Sequence, residues 1–258
     1  MDNFSKKVVR FMTKNDLIIE TILMAGKIMI ENGADMARVD DTLTRIARNA
    51  GINNPKIFET TTGILMSIPE QSSAQVEPIQ KRTIDLEKVS LVNENSRAFQ
   101  DGQISLEEFR NNLVKLNIST PFFSFWLQLI AAVVVSVTLM IMYGGVWQDI
   151  IATAFAGGLG YSCYYLINNR LKIRFVSEFL ASFLIGVIAV FFVRLQWGTQ
   201  IGMITIGGVM PLVPGVPITN AVRDVFAGHF LSGMARAMEA LLSACAIGMG
   251  IAFVFRFL

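Results

Sequence analysis

Apolar residues fill most of 17–31 up to Asn32-Gly33, and this run predicts a helix closed by glycine in a left-handed conformation. Met36, Val39, Leu43, Ile46, Ala47 and Ala50 then recur at intervals of three and four, with Asp35 near the start and Gly51 beyond the end. That period predicts a second helix, packed on the first as a hairpin. KIFETTTGILMSI, residues 56–68, is rich in Ile, Phe and Thr and reads as one strand; the turn-like PEQSSA follows, and QVEPIQKRT reads as a second strand. Pro78 places that second strand at a sheet edge, because proline has no N–H to give the ladder. Helices are predicted over 86–99 and 105–116, the latter with a Ser105 and Glu108 capping box. Between them DGQISLEEF imitates half a calcium loop, but Arg97 and Phe99 stand where coordinating oxygens belong, so it reads as a helix-turn-helix connection.

Beyond residue 120 the pattern changes. No charged residue occurs over 122–148, enough for a membrane span of about 20 residues, with Trp126 and Trp147 placed to anchor its two interfaces. A second span is predicted over 150–168 and a third over 175–193, which includes Glu178. A fourth begins near Thr199 in a charge-free stretch reaching Val222 but containing Pro211, Pro214 and Pro217, and a fifth covers 230–255. The expected fold is an α-helical integral membrane protein with about five transmembrane helices and an N-terminal cytoplasmic α+β domain. The domains are 1–120 (helical hairpin, small β-hairpin, two further helices) and 121–258 (transmembrane). Arg170, Lys172 and Arg174 lie between the second and third spans, whereas the preceding loop has no basic residue, so the N-terminus is expected inside and the C-terminus outside. The first apolar stretch carries Glu20 and Lys27 and lacks a small-residue cleavage pattern, so no cleavable signal peptide is expected.

Composition sharpens this division. The mean hydropathy is +0.51 with only 16% charged residues, below the roughly one quarter usual for soluble domains. Residues 1–120 hold 15 of the 22 Lys+Arg and 16 of the 20 Asp+Glu. The net charge of +2 is no nucleic-acid signature, because the later basic residues lie between apolar runs. Cys163 and Cys245 both fall in apolar segments, which argues against a disulfide framework or thiolate metal site.

The segment 210–239, MPLVPGVPITNAVRDVFAGHFLSGMARAME, carries the candidate chemistry. Three prolines with Gly215 cannot sit in an unbroken helix, and a break at membrane depth is tolerated where protein or a water-filled cavity satisfies the freed backbone groups. Pro214, Gly215 and Pro217 therefore mark a candidate discontinuous helix of the transporter type, against the simpler reading of a kinked loop. Beyond it lie Asn220, Arg223, Asp224 and His229, then Arg236 and Glu239 at a spacing that lets them pair on one helical face. His229 is the only histidine, too little for zinc or a nucleophilic triad, and no metal or cofactor is expected. Glu178 and Asp149 are possible coupling groups, although both stand near span ends where hydration is the expected state. Tyr161, Tyr164 and Tyr165 read as an interfacial belt, and Asp35, Arg38, Asp40 and Asp41 as the charged face of an amphipathic helix.

LVPGVPITNAVRD followed by GHFLSGMARAMEA, with ENGADMARVDDTL and the FETTTGILMSI strand, resembles the threonine/serine exporter family, specifically the YjjP-like larger component of its two-component members. The resemblance covers nearly the whole chain. It implies a subunit of a secondary exporter in the bacterial cytoplasmic (inner) membrane, moving small polar metabolites: amino acids such as threonine and serine, or dicarboxylates such as succinate. The chain is shorter than the fused members, which implies a separately encoded smaller membrane subunit of the YjjB type and work within an oligomer. In that reading the broken helix exposes backbone groups to substrate, Asn220, Arg223 and Asp224 orient it or carry coupling charge, and Arg223 offers a bidentate match to a carboxylate. No G-x-x-x-x-G-K motif is present, so an ion gradient is the expected energy source and an enzyme is not expected. The alternative is a membrane-tethered sensor or enzyme whose N-terminal domain binds a small metabolite.

Overall fold

The computed structural model describes residues 14–68, 74–118 and 123–257. It is mainly helical and divides into two compact units, Met1–Thr120 with Thr219–Arg236, and Pro121–Ile218 with Ala237–Leu258.

In the first unit, α1 (Lys14–Glu31) ends at Gly33 with φ +91°, and the carbonyls of Met29 and Ile30 accept from the N–H groups of Ala34 and Gly33. The glycine is needed there because a Cβ disfavours positive φ. Helix α2 (Met36–Asn49) is capped by the Asp35 carboxylate, which accepts from the Arg38 N–H. Met36, Val39, Leu43, Ile46 and Ala47 are fully buried, as their spacing predicts. Helices α3 (Leu86–Gln100) and α4 (Leu106–Ile118) follow, and the capping box is complete: Ser105 N–H donates to Glu108 at 2.8 Å and Glu108 N–H to Ser105 Oγ at 3.2 Å.

The sheet has three strands where the sequence predicts two. KIFETTTGILMSI folds on itself as β1 (Lys56–Thr60) and β2 (Gly63–Ser67), antiparallel with Thr60 opposite Gly63. Neither turn residue, Thr61 nor Thr62, has positive φ, and Thr60 Oγ1 accepts from the N–H groups of Thr62 and Gly63 instead. The hairpin thus lacks the Asn-Gly or Asp-Gly signal by which such turns are read. Strand β3 (Gln75–Pro78) pairs with β2 and lies at the edge, where Pro78 was expected. The predicted turn at PEQSSA falls largely outside the described residues. One face of the sheet packs Ile64 and Met66 into the core with α1 and α2; on the other, the cross-strand neighbours Phe58, Leu65 and Val76 are exposed.

The second unit contains α5 (Phe125–Met142), α6 (Ile150–Leu171), α7 (Arg174–Arg194) and α8 (Ile201–Val209), with most of α10 (Phe230–Phe257). Four helices or helical runs have the length and apolarity to cross a membrane: Phe125–Met142, Trp147–Leu171, Arg174–Arg194 and Phe230–Phe257. A fifth span is obtained if Ile201–Leu212 and Gly215–Phe226 are counted as one, bent by 64°. Close packing in this unit relies on small residues. An added Cβ on Gly207 would stand 2.7 Å from the Ser136 carbonyl oxygen of α5 and 2.8 Å from Thr153 of α6. A lipid-embedded bundle gains little from excluding water between helices, so such backbone approach supplies its cohesion.

Candidate functional site

The proline segment forms a true break. A single 3-10 turn, Met210–Leu212, ends at extended Val213 (ψ 128°), and α9 (Gly215–Phe226) starts anew. Pro214 precedes α9 and Pro217 lies in its first turn, where helical N–H groups have no intrahelical acceptor and proline costs least. An added Cβ on Gly215 would meet no atom within 4 Å.

The polar residues after the break converge on one stretch of backbone, the α1–α2 turn. Asn220 Nδ2 donates to the Gly33 carbonyl at 2.8 Å, and the Arg236 guanidinium donates to the Ala34 carbonyl at 2.6 Å. The Met36 N–H donates to Asp224 Oδ1 at 2.8 Å, while Asp224 Oδ2 lies 2.9 Å from Arg236 Nη1. Arg223 Nη1 donates to Asp35 Oδ2 at 3.0 Å. The open N-terminus of α2 and the last carbonyls beyond α1 are thus satisfied by side chains almost 190 residues away in sequence or more. Asp35 is 7% exposed, so it is not part of a solvated helix face as its sequence position implied. Burial would raise its carboxyl, but the Arg38 N–H and the Arg223 guanidinium, with the charges of Arg38 and Arg223, hold it below its ordinary value. Asp41, by contrast, is exposed and pairs with Arg45 one turn on, as an amphipathic face should.

His229, in the connection between α9 and α10, faces a different neighbour. Its Nδ1 stands 3.8 Å from a Glu59 carboxylate oxygen of β1, across a cleft of about 400 Å3 that Asp40, Thr60, Phe58 and Ser232 also line. Glu59 shares the core-facing side of the sheet with Ile64, its cross-strand partner. Burial and, next, the nearby Asp40 charge push its carboxyl up to about 7, against the opposing effect of its own backbone N–H.

Glu178 and Glu239 belong to a second assembly, inside the helical bundle. Arg174 donates to Glu178 Oε1 at 2.8 Å through Nε and to Glu239 Oε1 at 2.7 Å through Nη1. Ser243 Oγ donates to the same Glu178 oxygen at 3.1 Å. The other oxygen, Oε2, is buried with no hydrogen-bond partner among the described residues. Neither Glu178 nor Asp149 is hydrated as its position near a span end predicts: they are 1% and 0% exposed. Asp149 instead caps α8, accepting from the Thr199 N–H at 2.6 Å, the Gln200 N–H at 3.2 Å and the Thr199 hydroxyl.

The sequence groups all these residues by proximity along the chain; the structure sorts them differently. It joins Asn220, Arg223, Asp224 and Arg236 to the 33–36 turn, His229 to Glu59, and Glu178 and Glu239 to Arg174. Arg174, Ser243 and Glu59 were missed as site residues. The i, i+4 spacing of Arg174 and Glu178 was readable, and Glu59 on the apolar side of a strand would have stood out once the hairpin register was known.

Four helices of spanning length, five if the bent pair is counted as one, and a buried Glu178 held by Arg174 within the bundle mark a multi-pass membrane protein of the transporter class. The chain belongs to the ThrE family, described as "Putative threonine/serine exporter", whose model matches residues 20–258. Two curated relatives carry the name "Probable succinate transporter subunit YjjP": one from Klebsiella aerogenes, 21% identical over 225 residues (86% of this chain, 87% of the relative), and one from Escherichia coli strain K12, 22% identical over 231 residues (89% and 90%). No solved structure matches.

Proposed function

We propose that the protein is the larger subunit of a secondary exporter in the bacterial inner membrane. In this reading it passes a small polar metabolite, an amino acid such as threonine or serine or a dicarboxylate such as succinate, out of the cell together with a smaller membrane subunit. The observation that carries this reading is Glu178, a buried carboxylate on a helix of spanning length with one oxygen unpaired and the other shared between Arg174 and Ser243. A charge at that depth is costly, and its usual occupation is ion or substrate handling. Arg174 holds both Glu178 and Glu239, so protonation of either carboxylate frees the guanidinium toward the other, which is the elementary step a proton-coupled carrier needs. The Arg170, Lys172 and Arg174 loop supports a cytoplasmic N-terminal domain of residues 1–120 and an external C-terminus. The break at Pro214, Gly215 and Pro217 supplies backbone groups to a substrate path, as in discontinuous transporter helices.

The test is efflux of labelled threonine and labelled succinate from bacterial cells expressing the chain, alone and with its smaller partner, beside Glu178→Gln at matched membrane abundance. Efflux of one label that requires the partner and is lost in Glu178→Gln is the expected result. Efflux that is unchanged in Glu178→Gln removes Glu178 from the coupling role, and absence of efflux under every combination removes the exporter reading.

A further inference from the structure

The buried carboxylates of the first unit are not equally provided for. Asp224 has Arg236 and the Met36 N–H, and Asp35 has Arg223 and the Arg38 N–H. Glu59 has neither. Its side chain is only 5% exposed, yet the one basic group within 4.0 Å among the described residues is the His229 imidazole at 3.8 Å, too far for a hydrogen bond. Asp40, exposed on α2, adds a second negative group to the same cleft, and its charge acts on Glu59. Burying such a group without a partner is unfavourable, and an ion pair completed by a ligand relieves it.

The cleft has room for that ligand. Its volume of about 400 Å3 falls within the range of small-molecule sites. Ile57, Phe230 and Ser232 also line it. We propose that this cleft binds the ammonium group of a small primary-amine metabolite, with Glu59 and Asp40 as its counter-charges. An ammonium carries three donors and one positive charge, matching two carboxylates in a cleft whose lining, among the described residues, holds no lysine or arginine. His229 and Ser232 line the same cleft beside Glu59, and an α-amino acid supplies the ammonium. A dicarboxylate brings two more negative charges to a site that already has an excess. The inference therefore deepens the exporter reading by choosing between its two substrate classes, and it rests on that reading only for the link to transport.

The test uses the full chain, purified in detergent, and calorimetric titration with L-threonine, its methyl ester, N-acetyl-L-threonine and succinate. Threonine and its ester are expected to bind, while N-acetylthreonine and succinate are not. Glu59→Gln and Asp40→Asn should each weaken threonine binding by about tenfold or more, the loss of a charge-assisted contact. Binding near pH 6.5 should release a proton from Glu59, seen as a heat that varies with the ionisation enthalpy of the buffer; Glu59→Gln abolishes that dependence. Size-exclusion behaviour and circular dichroism show that the variants remain folded, and Asp40, exposed on α2, serves where Glu59→Gln does not fold. Equal binding of the N-acetyl compound, binding of succinate, or no binding at all overturns the proposal. Efflux that persists without threonine binding leaves the exporter reading standing while this one falls, and threonine binding without efflux does the reverse.

Discussion

Arg236 and Asp224 form a buried ion pair at 2.9 Å, 8% and 0% exposed at their side chains, and each also reaches the α1–α2 turn, through the Ala34 carbonyl and the Met36 N–H. The pair therefore does two things at once: it neutralises two buried charges and fastens the start of α2 to α9 and to the first turns of α10.

Removing one member leaves the other charged and buried. Asp224→Ala is expected to cost about 3–5 kcal/mol and to lower the thermal midpoint of the detergent-solubilised chain. An Asp224→Leu/Arg236→Met double variant should lose clearly less than the two single changes added together. Simple additivity would show that the two charges are not coupled.

Asp149 is expected to matter for folding rather than for transport. Asp149→Ala strips two N–H groups at the start of α8 of their buried acceptor and should cost about 1–3 kcal/mol. Asp149→Asn keeps an acceptor and should cost less. Thermal melts of both variants read the difference, and equal losses would argue that the carboxylate's charge, rather than its cap, is what counts.

Gly207 and Gly202 make a matched comparison within α8. A methyl on Gly207 meets the immobile Ser136 carbonyl, whereas one on Gly202 meets nothing within 4 Å. Gly207→Ala should destabilise the bundle by about 1–3 kcal/mol, and Gly202→Ala should be neutral or slightly stabilising. Membrane abundance and melting temperature of the two variants check this.

Glu59 should leave a signature in the pH dependence of stability. Its carboxyl titrates near 7 in the fold against about 4.5 in the unfolded chain, so between those values the folded state holds more proton than the unfolded one. The stability this contributes is complete below about pH 4.5 and is lost as pH rises through 7. Melts from pH 5 to 8 should therefore fall more steeply for the native chain than for Glu59→Gln. Parallel curves would mean that Glu59 is not held in its neutral form.

Much of the local architecture was open to reading along the chain. The three-and-four recurrence from Met36 to Ala47, the Ser105 and Glu108 box and the charge-free run from 122 to 148 each express a short-range rule, and each became the expected helix. The β1–β2 turn escaped because Thr61 and Thr62 carry no positive-φ signal and Thr60 supplies the turn's hydrogen bonds from its own hydroxyl. The family resemblance and the family match agree, since both rest on the order of residues rather than on their positions in space.

By itself, then, the sequence determined where helices begin, end and break, which of them are apolar enough to span a bilayer, and which family the chain joins. These depend on period, composition and caps within a few residues of one another. The partners of the charged groups were decided only by tertiary structure: Asp224 to Met36, Asn220 to Gly33, His229 beside Glu59, and Arg174 between Glu178 and Glu239. A charge written beside a proline segment looks free to meet a substrate, and only folding shows which backbone carbonyl or carboxylate, 65 or 188 positions away, has already claimed it. The reason is energetic. Buried charges and open helix ends must be satisfied by whatever the packing brings within about 3 Å, and chain order does not encode that distance.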